Sequence, residues 1–387
     1  MMNRLKIWTD KHIQGDPVIW IVVICLSIFG ILVVYSATGS LAYRIAGGNT
    51  EKFLIRHSLM VALSLLVMWV AHKIDYRYYS KITRYALIVS VPLLIYAWQD
   101  GVGANGADRW IQIPFVGFQF QPSDLAKLAL IAALATMLAK RQQNIKDFKE
   151  SLIPMLAWCG GICGLIAMTN ISTAILLFVT CMLLLFIGRV PIKYLGMLVI
   201  VGAFAGVIAM KVGQRGGTAQ SRVANFVQGT EVPYQVQQSY IAIATGGIMG
   251  KGPGKSVQRN SLPEAYADFV FAIIIEEYGI IGGVIVLLLY LVLLYRGMRV
   301  VANSDRAFGG LLSAGLTFAI VIQALVNIGV VVGLGPVTGQ TLPLISMGGT
   351  SLIFTGLALG IVLSVSRGER EDVSAINGEM RNTAKAI

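Results

Sequence analysis

ADFVFAIIIEEYGIIGGVIVLLLYLVLLY, residues 267–295, carries charge only at Asp268, Glu276 and Glu277, all near its start, and contains no proline. About 20 consecutive apolar residues suffice for a helix to cross the hydrocarbon core of a bilayer. A segment this long and apolar therefore reads as a membrane-spanning helix rather than as a buried strand or a soluble core helix. Working outward from it, comparable runs recur at 17–37, 54–71, 83–99, 122–139, 152–168, 172–187, 191–210, 308–332 and 342–366. The short ones are flanked by aromatic or basic residues that can anchor them at the interface. The fold class is all-α: a polytopic membrane protein of ten spans.

Composition supports this reading. The chain of 387 residues is 56% apolar and 13% charged, about half the charge of an ordinary soluble protein. So few charges cannot cover so much apolar surface, which excludes soluble enzymes and disordered scaffolds. The four cysteines lie inside apolar runs. Cys159 and Cys163 are one helical turn apart, but with no His nearby they read as packing residues. His12, His57 and His72 are scattered and build no cluster. The opening residues are basic and amphipathic, and no small-residue cleavage site follows the first run, so that run is expected to be a retained span.

The net charge of +12 would suggest nucleic acid in a soluble protein, but here the charges sort by side. The connections 1–16, 72–84, 140–150, 188–193, 296–306 and 367–387 hold 20 Lys and Arg residues, against 10 in the opposite set. The richer set is expected to be cytoplasmic, with both termini inside. The surplus is topogenic, and no nucleic-acid partner is implied. The only long connection, 211–266, then faces outward. It holds six basic residues (Lys211, Arg215, Arg222, Lys251, Lys255, Arg259) and two acids, Glu231 and Glu264. Long connections between packed helices are usually functional, and this one suits an anionic lipid headgroup or diphosphate, with plain solvation as the alternative. The tail from residue 367 is polar and expected to lie in the cytoplasm.

Ionisable groups within spans cost about 2.5–3.5 kcal/mol even on the lenient insertion scale, so each is a functional candidate. Asp124 and Lys127, in QPSDLAK, share a helix face at i and i+3 and can pair; a capped helix start with one ion pair explains them equally well. Asp268 adjoins Phe269 and Phe271, where it serves either as a general base or as an acid complementing a helix dipole. On a continuous helix, Glu276 falls about 12 Å below Asp268 and about 80° round from it. Glu277 then points nearly the opposite way and is expected to form a structural ion pair. Gln323 and Asn327, one turn apart, are expected to hydrogen-bond between helices. GGIMGKGPGKS (246–256) resembles a phosphate loop, but Met249 stands where the Walker spacing needs glycine. It is not a nucleotide site, although its amides can form an anion-binding nest.

Three stretches carry a resemblance: GANGADRWIQIPFVGFQFQPSDLAK (103–127), QSYIAIATGGIMGKGPGKS followed by LPEAYADFVFAIIIEEYGIIGG within 238–283, and NIGVVVGLGPVTGQTLPLISMGGTSL (327–352). They resemble, in order and over essentially the whole chain, the signatures of the SEDS family, FtsW and RodA. The last is more similar to FtsW. The resemblance implies a peptidoglycan glycosyltransferase that polymerises lipid II at the outer face of the bacterial inner membrane, with division as its FtsW-like setting. It also implies a class B penicillin-binding protein as partner, alongside other divisome proteins, and membrane lipid around the spans. Carried over residue by residue, Asp268 takes the place of the essential acid. Lys127, Asp124, Arg109, Arg222 and Glu264 take substrate-binding positions. Asn170 stands where the family often has Asp, so it can hydrogen-bond but brings no charge. A divalent cation, Mg or Mn, is compatible with the expected chemistry, and no organic cofactor is implied. The competing readings are RodA-like elongation, a lipid II flippase or other transporter, and a scaffold without chemistry. The absence of two related halves counts against transport.

Overall fold

The computed structural model describes residues 13–39, 41, 49–101, 109–113, 118–145, 147–213, 216–228 and 232–383. Twelve α-helices are found among them: α1 (Pro17–Ala37), α2 (Thr50–Lys73), α3 (Tyr76–Asp100), α4 (Pro122–Lys140), α5 (Ile153–Thr169), α6 (Ile171–Ile187), α7 (Ile192–Val212), α8 (Gly216–Gln228), α9 (Tyr234–Gly246), α10 (Val270–Asn303), α11 (Ala307–Val331) and α12 (Thr350–Thr383). A hairpin of β1 (Ile111–Ile113) and β2 (Phe118–Phe120) enters α4, with Ile111 opposite Phe120. All but α8 and α9 correspond to the ten expected spans. Nine are long and apolar enough to cross a bilayer, and α6 is a shorter apolar helix. Residues 371 onward continue α12 as helix to Thr383.

The starts of the spans follow local chemistry. The Asp16 carboxylate accepts from the Val18 amide at 2.9 Å, with Pro17 opening α1, and Asp16 also takes Arg296 Nε of α10 at 2.8 Å. Asn49, Asp75 and Asn170 cap α2, α3 and α6 with their side chains. Such caps satisfy amides that would otherwise lack partners at a helix N-terminus. The α4 start is different. Pro122 opens it, but no side chain caps it. Many large side chains point outward, as on α7, where Ile200 and Phe204 are about 70% exposed, a surface suited to lipid.

Two spans depart from the hydropathy reading. Residues 342–349 have the composition of a span, yet α12 begins only at Thr350. Pro343, a left-handed Leu344 (φ 67°) and the Gly348–Gly349 pair keep this stretch irregular. Irregular backbone survives at membrane depth only where protein groups satisfy it. Here Ser346 Oγ accepts from the Leu342 amide at 2.8 Å, the Met347 amide donates to Tyr266 O at 3.0 Å, and the buried Tyr290 hydroxyl donates to Pro343 O.

The second departure is in α10, which breaks at Gly279 (φ 69°, ψ −174°). The glycine-rich turn 246–256 docks into the break. The amides of Lys251 and Gly252 donate to the carbonyls of Glu276 and Glu277, both at 2.9 Å, and the Ile280 amide donates to Gly247 O at 2.9 Å. The buried Glu276 carboxylate accepts from Lys251 Nζ (2.6 Å), Ser256 Oγ, and the amides of Val257 (3.1 Å) and Gln258 (3.2 Å). Glu277 accepts from Ser36 Oγ of α1 and from the Ser256 amide.

Three expectations change here. The ion pair belongs to Glu276, not Glu277. Asp268 precedes the helix, so the angular relation drawn along one continuous helix does not hold. The glycine-rich turn spends its amides on the protein's own carbonyls and carboxylates rather than on an external anion. The described residues of the long connection include α8 and α9. Of its cations, Lys251 serves Glu276 and Arg259 donates to Ser36 O at 3.2 Å. Arg215 and Glu231, like His12, lie outside the described residues.

Candidate active site

At the end of the bundle that carries the α7–α10 connection, a cavity of about 560 Å³ opens between α2, the hairpin, α4, the residues before α10 and the irregular stretch before α12. Seven candidates named from the sequence line it: Asp268, Asp124, Lys127, Arg109, Glu264, Asn170 and Gln323. They come from positions as distant in sequence as 109 and 323. Arg222 does not join them. It lines a separate, smaller recess beside Tyr240 and Gly333, donating to Val337 O at 3.2 Å. Glu276 and Glu277 are also elsewhere, locked into the glycine-rich turn.

The Asp268 backbone is pinned from two sides. Asn327 Nδ2 donates to Asp268 O at 2.7 Å and to Gln340 O at 2.6 Å. Ser346 Oγ donates to Ala267 O at 2.7 Å. Gln323 Nε2 donates to Thr341 O at 2.9 Å. Gln323 and Asn327 thus hold irregular backbone against α11 rather than bridging two helices. Gly339 adopts φ 66°, and a Cβ there would stand 3.4 Å from Asp268 Oδ2. Glu264 is also left-handed, at φ 53°, a conformation that is uncommon outside glycine and concentrates at functional sites. Asp268 is only partly buried and so remains accessible from the cavity.

On the opposite part of the lining, Lys127 Nζ meets Asp124 Oδ1 at 2.8 Å. Asp124 is 3% exposed, and its Oδ2 has no hydrogen-bond partner among the described residues. A buried carboxylate oxygen without a donor is costly, so the pair is incomplete as a purely structural feature. Asn170 accepts from the Thr173 amide at 3.2 Å, and Thr173 Oγ1 accepts from Gln340 Nε2 at 3.0 Å. Its carbonyl is therefore used as the α6 cap. Tyr266, outside the spans, has its hydroxyl pKa raised above the ordinary value by burial, then by the nearby Glu264 and Asp268 carboxylates.

For a divalent cation, no group of three His, Cys, Asp or Glu side chains is arranged as a metal site among the described residues. The donor set fits an ion shared with a substrate phosphate, since Mg²⁺ commonly takes one or two carboxylates and completes its shell with phosphates and water. Among the described residues, Asp124 Oδ2 is a buried carboxylate oxygen on the cavity without a hydrogen-bond partner.

Sequence reasoning missed Arg56, His57, Gln121, Tyr266 and Gln340, all on the cavity wall. The signal for the first two was the spacing of Phe53, Arg56, His57 and Met60 at i, i+3, i+4 and i+7, which marks one helix face.

A family profile described as "Cell cycle protein", covering FtsW, RodA and SpoVE, matches residues 16–371. The chain belongs to this family. A protein of Geobacter metallireducens named "Probable peptidoglycan glycosyltransferase FtsW" is 36% identical over 91% of this chain and 94% of its own length. Stage V sporulation protein E of Bacillus subtilis is 33% identical over 94% of this chain and 100% of its own length. Among solved structures, one described as "Structural coordination of polymerization and crosslinking by a peptidoglycan synthase complex" superposes with a TM-score of 0.72 at 27% identity, covering 92% of this chain and 98% of the other. The Thermus thermophilus rod shape determining protein RodA follows with a TM-score of 0.66 at 26% identity, covering 92% and 97%. The FtsW/RodA/SpoVE fold thus extends through every span that lines the cavity.

Proposed function

We propose that the protein is a peptidoglycan glycosyltransferase that polymerises lipid II into glycan strands on the outer face of the cytoplasmic membrane. The observation that carries this reading is the gathering of Asp268, Lys127, Asp124 and Arg109 around one cavity at the end expected to face outward. The names of the relatives support the activity, and the preponderance of basic residues on the other side supports the orientation, with both termini inside.

In the reaction, Asp268 takes the proton from the acceptor sugar hydroxyl as that oxygen attacks the anomeric carbon of the donor. The new C–O bond forms while the bond from the anomeric carbon to the lipid diphosphate breaks, and the diphosphate leaves with the electron pair. A positioned general base is worth about 10²–10⁴-fold in rate. One displacement inverts the anomeric centre, so no second carboxylate is needed as nucleophile. Lys127 and Arg109 stabilise the negative charge gathering on the leaving diphosphate. A bound Mg or Mn ion would add to that neutralisation, with Asp124 as the residue to hold it. Below the polar cavity, an apolar cleft lined by Leu128, Ile131, Leu177 and Ile320 continues between α4, α6 and α11, a setting suited to the prenyl chain.

The crosslinking partner is a class B penicillin-binding protein, a reading supported by the likeness to a chain of a peptidoglycan synthase complex described as coordinating polymerization and crosslinking. Septal synthesis, with other divisome proteins, is supported by the FtsW-named relatives. The test is to incubate the purified protein and its crosslinking partner with labelled lipid II, and to reconstitute it separately in vesicles. Glycan polymer without lipid II translocation supports a polymerase. Translocation without polymer overturns it in favour of a flippase.

A further inference from the structure

His57 is a buried histidine, 1% exposed, near the start of α2. It lines the cavity together with Phe53, Arg56 and Met60. Neither of its ring nitrogens has a hydrogen-bond partner among the described residues. Its helix is not free to turn the ring elsewhere, because two turns further on Ser64 Oγ donates to Leu352 O of α12 at 2.6 Å. An imidazole always carries a nitrogen-bound proton to donate. Leaving it buried and unmet is unfavourable, so the observation points to a polar group that arrives with the ligand.

The charges around the cavity indicate which group that is. The carboxylates Asp124, Asp268 and Glu264 come from the α4 start and from the residues before α10. The α2 face contributes Arg56 and His57 to the lining and no acid. A sugar hydroxyl that must lose a proton belongs beside Asp268, whereas the α2 wall, offering donors without carboxylates, suits a further side of the anion that Lys127 and Arg109 also meet.

We propose that His57 is a substrate-binding residue whose imidazole donates a hydrogen bond to a diphosphate oxygen of the lipid-linked donor, beside Arg56. This rests on the glycosyltransferase reading above and adds the α2 wall to Lys127 and Arg109 as contacts of its diphosphate. The residue acts on binding, before and after bond formation, and on the leaving group as charge accumulates there.

The test compares wild type with His57→Leu, which fills the space without a donor, and His57→Gln, which restores an N–H. Binding of farnesyl diphosphate is measured directly on the full-length protein, with farnesol as the uncharged control, and KM and kcat are measured with lipid II. A hydrogen bond to a charged acceptor predicts farnesyl diphosphate binding about tenfold weaker in His57→Leu, largely recovered in His57→Gln. Farnesol binding should be equal in all three. The melting temperature of His57→Leu should not fall, because an unpaired polar group is being removed; a structural histidine would behave oppositely.

Unchanged diphosphate binding in a folded His57→Leu overturns the proposal. A raised KM for lipid II with unchanged diphosphate binding also overturns it, by moving His57 to a sugar contact. If wild type makes no polymer, the glycosyltransferase reading fails, while the binding arm still decides whether His57 meets a diphosphate.

Discussion

Replacing Asn327 with leucine tests whether Asp268 owes its position to the clamp behind it. Leucine keeps the branched four-heavy-atom side chain but removes both donations from Nδ2, to Asp268 O at 2.7 Å and to Gln340 O at 2.6 Å. Asn327 is buried, so water does not readily replace them. A buried carbonyl deprived of its donor costs about 1–3 kcal/mol, whereas interhelical hydrogen bonds in membrane proteins average about 0.6 kcal/mol. Two such losses bracket the destabilisation at about 1–6 kcal/mol, and the lower half applies because Ser346 still holds Ala267 O. The catalytic effect should be larger in proportion. A general base displaced by about 1 Å can lose about 10²-fold in rate. Thermal melting in detergent should therefore show a modest drop, and polymer synthesis from labelled lipid II should fall by about two orders of magnitude at saturating substrate. A folded Asn327→Leu protein with wild-type turnover would refute the clamp, and Asp268 would have to be held by other contacts.

Other perturbations separate catalysis from stability. Gly339→Ala places a methyl group 3.4 Å from Asp268 Oδ2 on a left-handed backbone. The strain costs about 1–2 kcal/mol, and polymerisation assays should show a deeper loss than melting curves do. Lys127→Met leaves Asp124 buried with neither oxygen paired and should lower thermal stability, while the double variant Asp124→Asn/Lys127→Met should recover stability but not polymer synthesis. Lys251→Ala removes the ion pair from the fully buried Glu276, so limited proteolysis should cut the 247–258 region faster than in wild type. For Tyr266, burial and then the two carboxylates raise the hydroxyl pKa. The folded state keeps that proton more tightly than the unfolded chain, so stability should decline as pH rises above about 10. Melting temperatures of wild type and Tyr266→Phe should diverge only in that alkaline range.

Hydropathy made the spans legible because each needs only its own length of apolar residues to cross lipid. The i, i+3 spacing likewise gave the Asp124–Lys127 pair, since both residues share one helix turn. What local pattern does not hold is the choice between helix and irregular backbone in a uniformly apolar stretch. TLPLISM before α12 reads as span, and it is kept irregular by Tyr266 and Tyr290, groups 50 or more residues away in the chain. The break at Gly279 is similar: a glycine in a transmembrane run is unremarkable until the turn 247–252 supplies replacement hydrogen bonds. The same limit explains the errors over charge. Lys251 and Arg259 look available in an outward loop, and only the fold shows Glu276 and Ser36 already engaging them. His57 was passed over for the converse reason, being alone in sequence yet on the wall of a cavity assembled from distant segments.

The central claim is that Asp268 performs the chemistry. Its most direct test is glycan synthesis from labelled lipid II by wild type and Asp268→Asn, each purified in complex with the crosslinking partner and with divalent cation supplied. The account predicts long polymer from wild type and none from an Asp268→Asn protein that is folded and still partner-bound. Equal polymer from both would contradict it and remove Asp268 from the reaction.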